Sequence, residues 1–283
     1  MARMSWHEAC QLDGSLASLD RFFASPPEYS QTLTGGLTNR CWKIVERSGR
    51  AYVWRPTTPI TQAFSISRAQ EYQILTSIDD CGFSPKPVHL NSQGLLVEWL
   101  EGNSLTDNLS ADLLIEALVN VHSLPTARLP VPPFNFTARV DHYWMQLEPE
   151  LKSEGYQAIY EKWRNPPSLP PVELSLCHFD LAGYNMVGTE QGAKIIDWEY
   201  ATIGDPRLDL TLSIDVAEVD EMAAIQHYCQ LRQLEHPEEW VEGVRAWRPR
   251  ATMMAMLWYL LAYQLWGDEY YLQQAELLKP GLY

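Results

Sequence analysis

The sequence has no run of lysines or arginines, and its 21 basic residues are outnumbered by 36 acidic ones, which gives a formal net charge of −15. Proteins that bind nucleic acid need a basic surface to neutralise phosphates, so this composition argues against that function. An acidic surface attracts cations and favours solubility. An anionic ligand would then depend on a few well-placed arginines, lysines or metal ions.

Cysteine is also scarce, with five scattered residues and no Cys-x-x-Cys pair. The odd number and the irregular spacing argue against a disulfide framework and against a cysteine-based metal centre. The start of the sequence lacks the apolar segment of a signal peptide. We therefore expect reduced thiols and a cytoplasmic protein.

Long hydrophobic runs are missing as well. The most apolar segment, Thr252–Trp266, contains Gln264 and is shorter than the roughly 20 residues that cross a membrane. We expect a buried helix there and no association with a membrane. Hydrophobic residues still make up 46% of the 283 residues, which is enough for one large domain or two lobes.

The N-terminal part of the chain is rich in strand-like segments. Residues 41–46 and 51–56 are short β-type runs around a polar turn, which predicts a hairpin, and residues 94–102 read as a strand that ends in a turn. Between them, residues 65–78 carry apolar side chains at helical spacing. We predict an α+β lobe over residues 1–102.

The rest of the chain is mainly helical by pattern. Ser110 is a good N-cap for an amphipathic helix, and a helical pattern follows Asp205 almost to the end of the sequence. We place the lobe boundary near residues 102–108 and assign residues 103–283 to a second lobe.

One loop places polar residues between apolar, strand-like ends. In Leu176–Val187, the residues His178, Asp180 and Asn185 follow the spacing H-x-D-L-x-x-x-N, which is that of a kinase catalytic loop. Phosphoryl transfer to an alcohol needs an aspartate near the hydroxyl, and carboxylate and amide oxygens to hold Mg²⁺. This spacing allows Asp180 to face the acceptor and Asn185 to face the metal.

Two more aspartates extend this pattern. Asp197 stands at the end of a predicted strand over residues 194–196, within a hairpin. If Asp180 and Asp197 approach one point, a cation must neutralise them, and Mg²⁺ is the natural candidate. Asp205 is either a plain helix cap or an anchor that accepts hydrogen bonds from the backbone of the catalytic loop.

In this order and spacing, three motifs resemble those of the choline kinase and aminoglycoside phosphotransferase superfamily, the small-molecule relatives of protein kinases. They are HFDLAGYN, IIDWEYA and GDPRLDL, at residues 178–185, 195–201 and 204–210. The resemblance implies an α+β, two-lobed, protein-kinase-like fold, with an N-terminal antiparallel sheet plus a helix and a mainly helical C-terminal lobe. It also implies ATP and Mg²⁺ as cofactors and a small-molecule alcohol as acceptor.

The resemblance assigns roles to individual residues. Asp180 would be the catalytic residue that accepts the proton of the acceptor, and Asn185 and Asp197 would bind the metal. Arg55 stands where protein kinases carry a lysine, and Glu71 would hold it. Residues implied in nucleotide binding are those of a glycine turn (Gly35, Gly36, Thr38, Asn39), this ion pair (Arg55, Glu71) and a hinge segment (Glu98, Leu100).

The acceptor site is expected mainly in the second lobe. Aromatic residues at 259, 263, 266 and 270 recur at helical spacing, a pattern more typical of a core than of a cage for a cation. The predicted acceptor contacts are Trp198, Glu199, Tyr263 and Trp266. Thiamine is favoured because the motifs resemble bacterial thiamine kinases. Choline and ethanolamine stay open, aminoglycosides are less favoured, and a non-catalytic pseudokinase is the alternative of another class. We expect a monomer or a homodimer.

Overall fold

The computed structural model describes residues 2–33 and 41–283, with the exception of the side chain of Arg128. Helices of the described residues are α1 (Trp6–Leu12), α2 (Pro59–Ala63), α3 (Arg68–Ser77), α4 (Ala111–His122), α5 (Phe136–Gln146), α6 (Glu154–Trp163), α7 (Pro206–Ala217), α8 (Glu221–Leu231), α9 (Pro237–Trp266) and α10 (Glu269–Leu278). The strands are β1 (Tyr29–Thr32), β2 (Trp42–Val45), β3 (Ala51–Pro56), β4 (Pro87–Asn91), β5 (Gly94–Glu98), β6 (Asn103–Ser104), β7 (Ser175–Cys177), β8 (Met186–Thr189), β9 (Gly192–Ile195) and β10 (Thr202–Gly204). Short 3₁₀ turns lie at Gly14–Leu19, Asp79–Cys81, Thr126–Arg128, Pro149–Leu151, Gly183–Asn185, Trp198–Tyr200 and Lys279–Leu282.

The chain divides into two compact units, one of Met1–Ser104 with Met186–Glu199 and one of Leu105–Asn185 with Tyr200–Tyr283. The sequence-based boundary assigned residues 186–199 to the second lobe, whereas the structure places them in the first unit. The reason is pairing: β8 pairs with β6 and β9, and the amide of Ile195 donates to the carbonyl of Phe83 at 2.7 Å. Asp197 therefore belongs to the same unit as β3 and α3.

An antiparallel five-stranded sheet, in the order β1-β2-β3-β5-β4, forms the framework of the first unit. The predicted hairpin is confirmed, with Trp42 opposite Trp54 and Val45 opposite Ala51. Because side chains alternate between the faces of a strand, Trp42, Ile44 and Trp54 share one face, and all three are fully buried.

The N-terminal segment packs on this buried face through α1 and the turn Gly14–Leu19. Three tryptophans of this unit each donate a hydrogen bond from the indole N–H, which needs an acceptor when it is buried. Trp6 donates to Asp20 at 2.8 Å, Trp42 to Asp13 at 2.9 Å and Trp54 to Ser15 at 2.9 Å. This segment thus fixes the sheet from the side of its apolar core.

The helix predicted over residues 65–78 is α3. Ser67 caps it by accepting from the amide of Gln70, and Ile74 and Leu75 enter the core. The same helix also buries two charged side chains, Arg68 and Glu71. Their burial requires partners of opposite charge, and these partners define the site below.

The second unit is mainly helical, as predicted. Ser110 caps α4 and Asp205 caps α7, each by accepting from a backbone amide of the first turn. The apolar segment Thr252–Trp266 is the C-terminal half of α9, and the described residues contain no helix of sufficient length and apolar character to cross a membrane. Strand β7, which pairs antiparallel with β10, precedes the loop that carries Asp180.

Candidate functional site

Arg55, on β3, is the centre of a buried ion-pair network in the first unit. Its Nε lies 2.9 Å from Oε1 of Glu71 on α3, and its Nη2 contacts Asp197 and lies 2.9 Å from Oε2 of Glu199. The ion pair that the sequence suggested between Arg55 and Glu71 is thus present. Burial disfavours the charge of Arg55, but Asp197 and Glu71 outweigh that effect and the pKa of Arg55 rises.

A second arginine, Arg68, completes the network and was not singled out from the sequence. Its Nη1 lies 2.5 Å from Oε2 of Glu71 and 3.0 Å from Oε2 of Glu199. Three carboxylates, counting Asp197, therefore share two guanidinium groups. Burial raises the pKa of Glu199, and the negative charge of Asp197 adds to this effect. The two arginines therefore do not fully offset burial and the repulsion between the carboxylates.

Asp197 lies two residues after the end of β9 and has a left-handed backbone, with φ of 63°. Residues other than glycine rarely adopt this conformation, and it clusters at functional sites. The next residue fixes the turn, because the indole of Trp198 donates to the carbonyl of Ile195 at 2.9 Å and its ring stacks on Phe83. The side chain of Asp197 remains 26% exposed, whereas that of Glu71 is 2% exposed.

The loop after β7 carries the second group of candidate residues, which lies in the second unit. Asp180 accepts from the hydroxyl of Tyr184 at 2.6 Å on Oδ1 and from the amide nitrogen of Asn185 at 2.9 Å on Oδ2. The same nitrogen also donates to the backbone carbonyl of Asp180 at 2.8 Å. Since a carboxylate can only accept, these bonds orient the Asn185 nitrogen toward Asp180 and its amide oxygen away from that carboxylate.

Asp209, on α7, anchors this loop from below. Its carboxylate is fully buried and accepts from the backbone amides of His178 and Phe179, both at 2.7 Å. The sequence left two roles open for Asp205, of which the helix cap is confirmed and the loop anchor is wrong. Asp205 instead accepts from the amide of Arg207, pairs with the guanidinium of Arg207 and accepts from Trp247.

His122 is bound on both ring nitrogens, by Tyr228 at 2.8 Å and by Asp209 at 3.0 Å. With Cys177, these residues offer potential ligand atoms that lie within 4.8 Å of one another. A cysteine binds a metal ion as a thiolate. Burial and the charge of Asp209 raise the pKa of Cys177 well above its ordinary value, which disfavours the thiolate. His122 and Asp209 are therefore interpreted as a buried structural hydrogen-bonded pair next to Cys177.

The predicted hinge follows β5. The amide of Glu98 donates to the carbonyl of Lys86 at 2.9 Å, and that of Trp99 to Ala51 at 3.1 Å. Among the residues that the structure describes, the amide of Leu100 has no such partner. The hinge can thus offer one backbone donor at Leu100. The predicted phosphate turn, with Gly35, Gly36, Thr38 and Asn39, lies outside the described residues.

The predicted acceptor contacts belong to both units, two of them to the first and two to the second. Trp198 is fully buried and Glu199 is 7% exposed within the arginine network, so neither offers its side chain to a ligand from solvent. Tyr263 and Trp266 lie on α9 in the second unit. The hydroxyl of Tyr263 is 3.3 Å from Glu269, and the Trp266 ring packs on Trp258 and Tyr271.

Three residues of the network and the loop were missed: Arg68, Tyr184 and Asp209. Arg68 stands three residues before Glu71, a helical spacing at which opposite charges meet, and that signal could have found it. Tyr184 stands four residues after Asp180 and Asp209 lies inside the third motif. The sequence position of these two residues does not indicate whether their side chains point toward the catalytic loop.

Residues 31–248 match the model of a family described as the phosphotransferase enzyme family. A thiamine kinase of Escherichia coli strain K12 is 26% identical over 262 residues, which cover 91% of each chain. The structure is similar to an ethanolamine kinase of Plasmodium vivax, with a TM-score of 0.73 at 16% identity over 97% of this chain and 88% of that one. It is also similar to a choline kinase of Streptococcus pneumoniae, with a TM-score of 0.68 at 18% identity over 98% and 99% of the chains. The predicted kinase-like fold class is thereby confirmed.

Proposed function

Because the chain belongs to the phosphotransferase enzyme family, we propose that it transfers the γ-phosphoryl group of ATP to the hydroxyl of a small cationic alcohol, with thiamine favoured. The family and the relatives of this chain already indicate a phosphotransferase with an alcohol as acceptor. The identity of the nucleotide, the metal and the acceptor belongs to the proposal.

The observation that carries the proposal is the contact of Arg55 with both Glu71 and Asp197. Kinases require their strand cation to be held by a helix glutamate and their metal-binding aspartate to be in place at the same time. The Arg55–Glu71 ion pair and the position of Asp197 next to it support this proposal. Arg55 would pair with phosphate oxygens in a fork, for which its planar guanidinium is suited.

In the proposed reaction, Asp180 accepts a hydrogen bond from the acceptor hydroxyl and takes its proton as the oxygen forms a bond to the γ-phosphorus. The bond from this phosphorus to the bridging oxygen breaks, and ADP leaves. Asp180 thus supplies orientation and proton acceptance, the two contributions that a side chain can make to this reaction.

The residues present fit Mg²⁺. The arginine network has one carboxylate more than it has guanidinium groups, the Asp197 side chain is its more exposed acid, and the Asn185 oxygen points away from Asp180. Hard oxygen donors of this kind are those that Mg²⁺ prefers. Asn185 and Asp197 would hold the ion, which neutralises the charge of the phosphates when bound.

For the nucleotide base, we propose the hinge segment. The Leu100 amide would donate to the adenine ring, and the backbone at Glu98 would accept from its amino group. Gly35, Gly36, Thr38 and Asn39 would contact the phosphates. The amide of Leu100 supports this proposal, because no other described residue accepts a hydrogen bond from it.

The preference for thiamine rests on the curated relatives, which bear the name thiamine kinase and match along 91% of this chain. The net charge of −15 favours a cationic acceptor over an anionic one. Tyr263 and Trp266 are retained as candidate contacts for such an acceptor. We further propose a cytoplasmic location and a monomer or homodimer.

An ADP-release assay tests the proposal directly. The protein with ATP and MgCl₂ is supplied in turn with thiamine, choline, ethanolamine, a methylated sugar and kanamycin, and the Asp180→Asn variant is the blank. We expect release with thiamine above all others. If ADP is released only with choline or ethanolamine, that alcohol and not thiamine is the acceptor. If ADP is released with none of the five compounds, the proposed function is contradicted.

Replacement of Asp197 by alanine is expected to weaken Mg²⁺-dependent ATP binding by at least about tenfold, because a carboxylate ligand of the ion is lost. Calorimetry with and without MgCl₂ measures this effect. Asp79→Ala is the matched control, since Asp79 is an exposed acid of the same unit that lies 3.8 Å from Lys86. Equal Mg²⁺-ATP affinities in the Asp197 variant and the wild type would refute the metal role.

A further inference from the structure

Tyr184 contacts Asp180, the residue that binds the acceptor hydroxyl in the proposed reaction. Its hydroxyl is 2.6 Å from Oδ1 of Asp180, and the residue is 47% exposed. An acceptor hydroxyl that binds the same carboxylate oxygen lies at most about 5.4 Å from the Tyr184 oxygen, because an ordinary O–H···O bond adds about 2.8 Å.

The two carboxylate oxygens of Asp180 have different surroundings. Oδ2 accepts from Asn185, which is 5% exposed, whereas Oδ1 accepts from the half-exposed Tyr184. The more exposed of the two partners is thus the one on Oδ1. A carboxylate can accept several hydrogen bonds at once, so the bond from Tyr184 is compatible with a bond from the acceptor hydroxyl to the same carboxylate.

The charge of Asp180 also acts on one tyrosine of α9. Burial raises the pKa of Tyr259 on α9, and the charges of Tyr270, Tyr271 and Asp180 add to the effect. Tyr259 is thus near enough to Asp180 to sense its charge. Of the two tyrosines, Tyr184 is the one whose hydroxyl contacts the carboxylate of Asp180.

The geometry points to Tyr184 as a residue of the acceptor site with two separate roles, in which its hydroxyl positions the carboxylate of Asp180 and its ring contacts the acceptor. This inference rests on the proposed function and deepens it. The acceptor class that a tyrosine face suits is a cation, through cation–π attraction. Tyr184, from the first motif, would replace the buried Trp198 and Glu199 of the second motif as an acceptor contact.

Two substitutions separate the roles. Tyr184→Phe removes the hydroxyl and keeps the ring, so we expect kcat with thiamine to fall about 5- to 20-fold and the KM for thiamine to stay within about twofold. Tyr184→Leu removes both, so we expect a similar fall in kcat together with a rise of about 5- to 30-fold in that KM. The KM for ATP should not change in either variant.

Tyr283→Phe is the control, because it deletes the hydroxyl of an exposed tyrosine that lies against Gly155. Thermal melting of the variants is expected to match the wild type, since Tyr184 is half-exposed. If both Tyr184 variants keep kcat and the thiamine KM within twofold, the inference is overturned. Failure of the proposed function gives a different result, because the wild-type protein itself would then release no ADP with any acceptor.

Discussion

Replacement of Asp180 by asparagine is expected to lower the turnover number by a factor of about 10²–10⁴, which is the usual size of an acid–base contribution. The substitution keeps the shape of the side chain and its hydrogen-bond acceptor on one oxygen. It removes the charge and the ability to take a proton from the acceptor hydroxyl. Because Asp180 is not proposed to hold the metal or the phosphates, Mg²⁺-ATP should still bind.

Steady-state kinetics with thiamine and calorimetry with Mg²⁺-ATP measure the two parts of this expectation. Asp112→Asn is a suitable control, because Asp112 is an exposed acid of the same unit that lies 3.2 Å from His227. A variant at 180 with undiminished turnover would refute the role of this aspartate. A variant that loses turnover and nucleotide binding together would indicate that Asp180 belongs to the nucleotide site instead.

The parts of the fold that the sequence could predict are those fixed by local pattern. The hairpin around the turn at residues 46–50 follows from two β-type runs, and α3 and α4 follow from apolar spacing behind a serine cap. These signals depend on residues close together in the chain. The motifs that place Asp180 and Asp197 on loops after strands are of the same local kind.

Other features depend on contacts between distant segments, for which the sequence has no comparable signal. The hairpin of β8 and β9 lies in the first unit because β8 pairs with β6, about 80 residues earlier in the chain. The burial of Trp198 depends on Phe83 in the same way. A motif shows that an aromatic residue follows the metal aspartate, but it does not show whether the ring turns toward a ligand or toward the core.

The choice between Asp205 and Asp209 illustrates the same limit. Both acids lie in one heptapeptide, and both are good acceptors for backbone amides. On a helix, residues four apart share a face, but Asp205 precedes the first turn and so turns back to cap it. Asp209, one turn further along, is the acid that reaches the amides of the catalytic loop.

Replacement of Asp209 by alanine is expected to destabilise the protein by about 3–5 kcal/mol, the usual range when one member of a buried charged network is removed. Two backbone amides and the His122 ring would lose their acceptor in a fully buried place. The melting temperature should fall by roughly 10 °C. Turnover should fall as well, since the lost anchors belong to the loop that presents Asp180.

The variant Asp205→Ala is the control for Asp209→Ala, because it removes a nearby acid at the start of α7 that does not anchor the catalytic loop. Asp205 caps the helix and pairs with Arg207, so its loss should lower the stability by about 1–2 kcal/mol. It makes no hydrogen bond to the catalytic loop among the described residues, so turnover at a temperature well below melting should stay close to that of the wild type. Differential scanning calorimetry and the ADP assay at 15 °C measure both variants. If Asp205→Ala abolished turnover and Asp209→Ala did not, the anchoring role would belong to Asp205 after all.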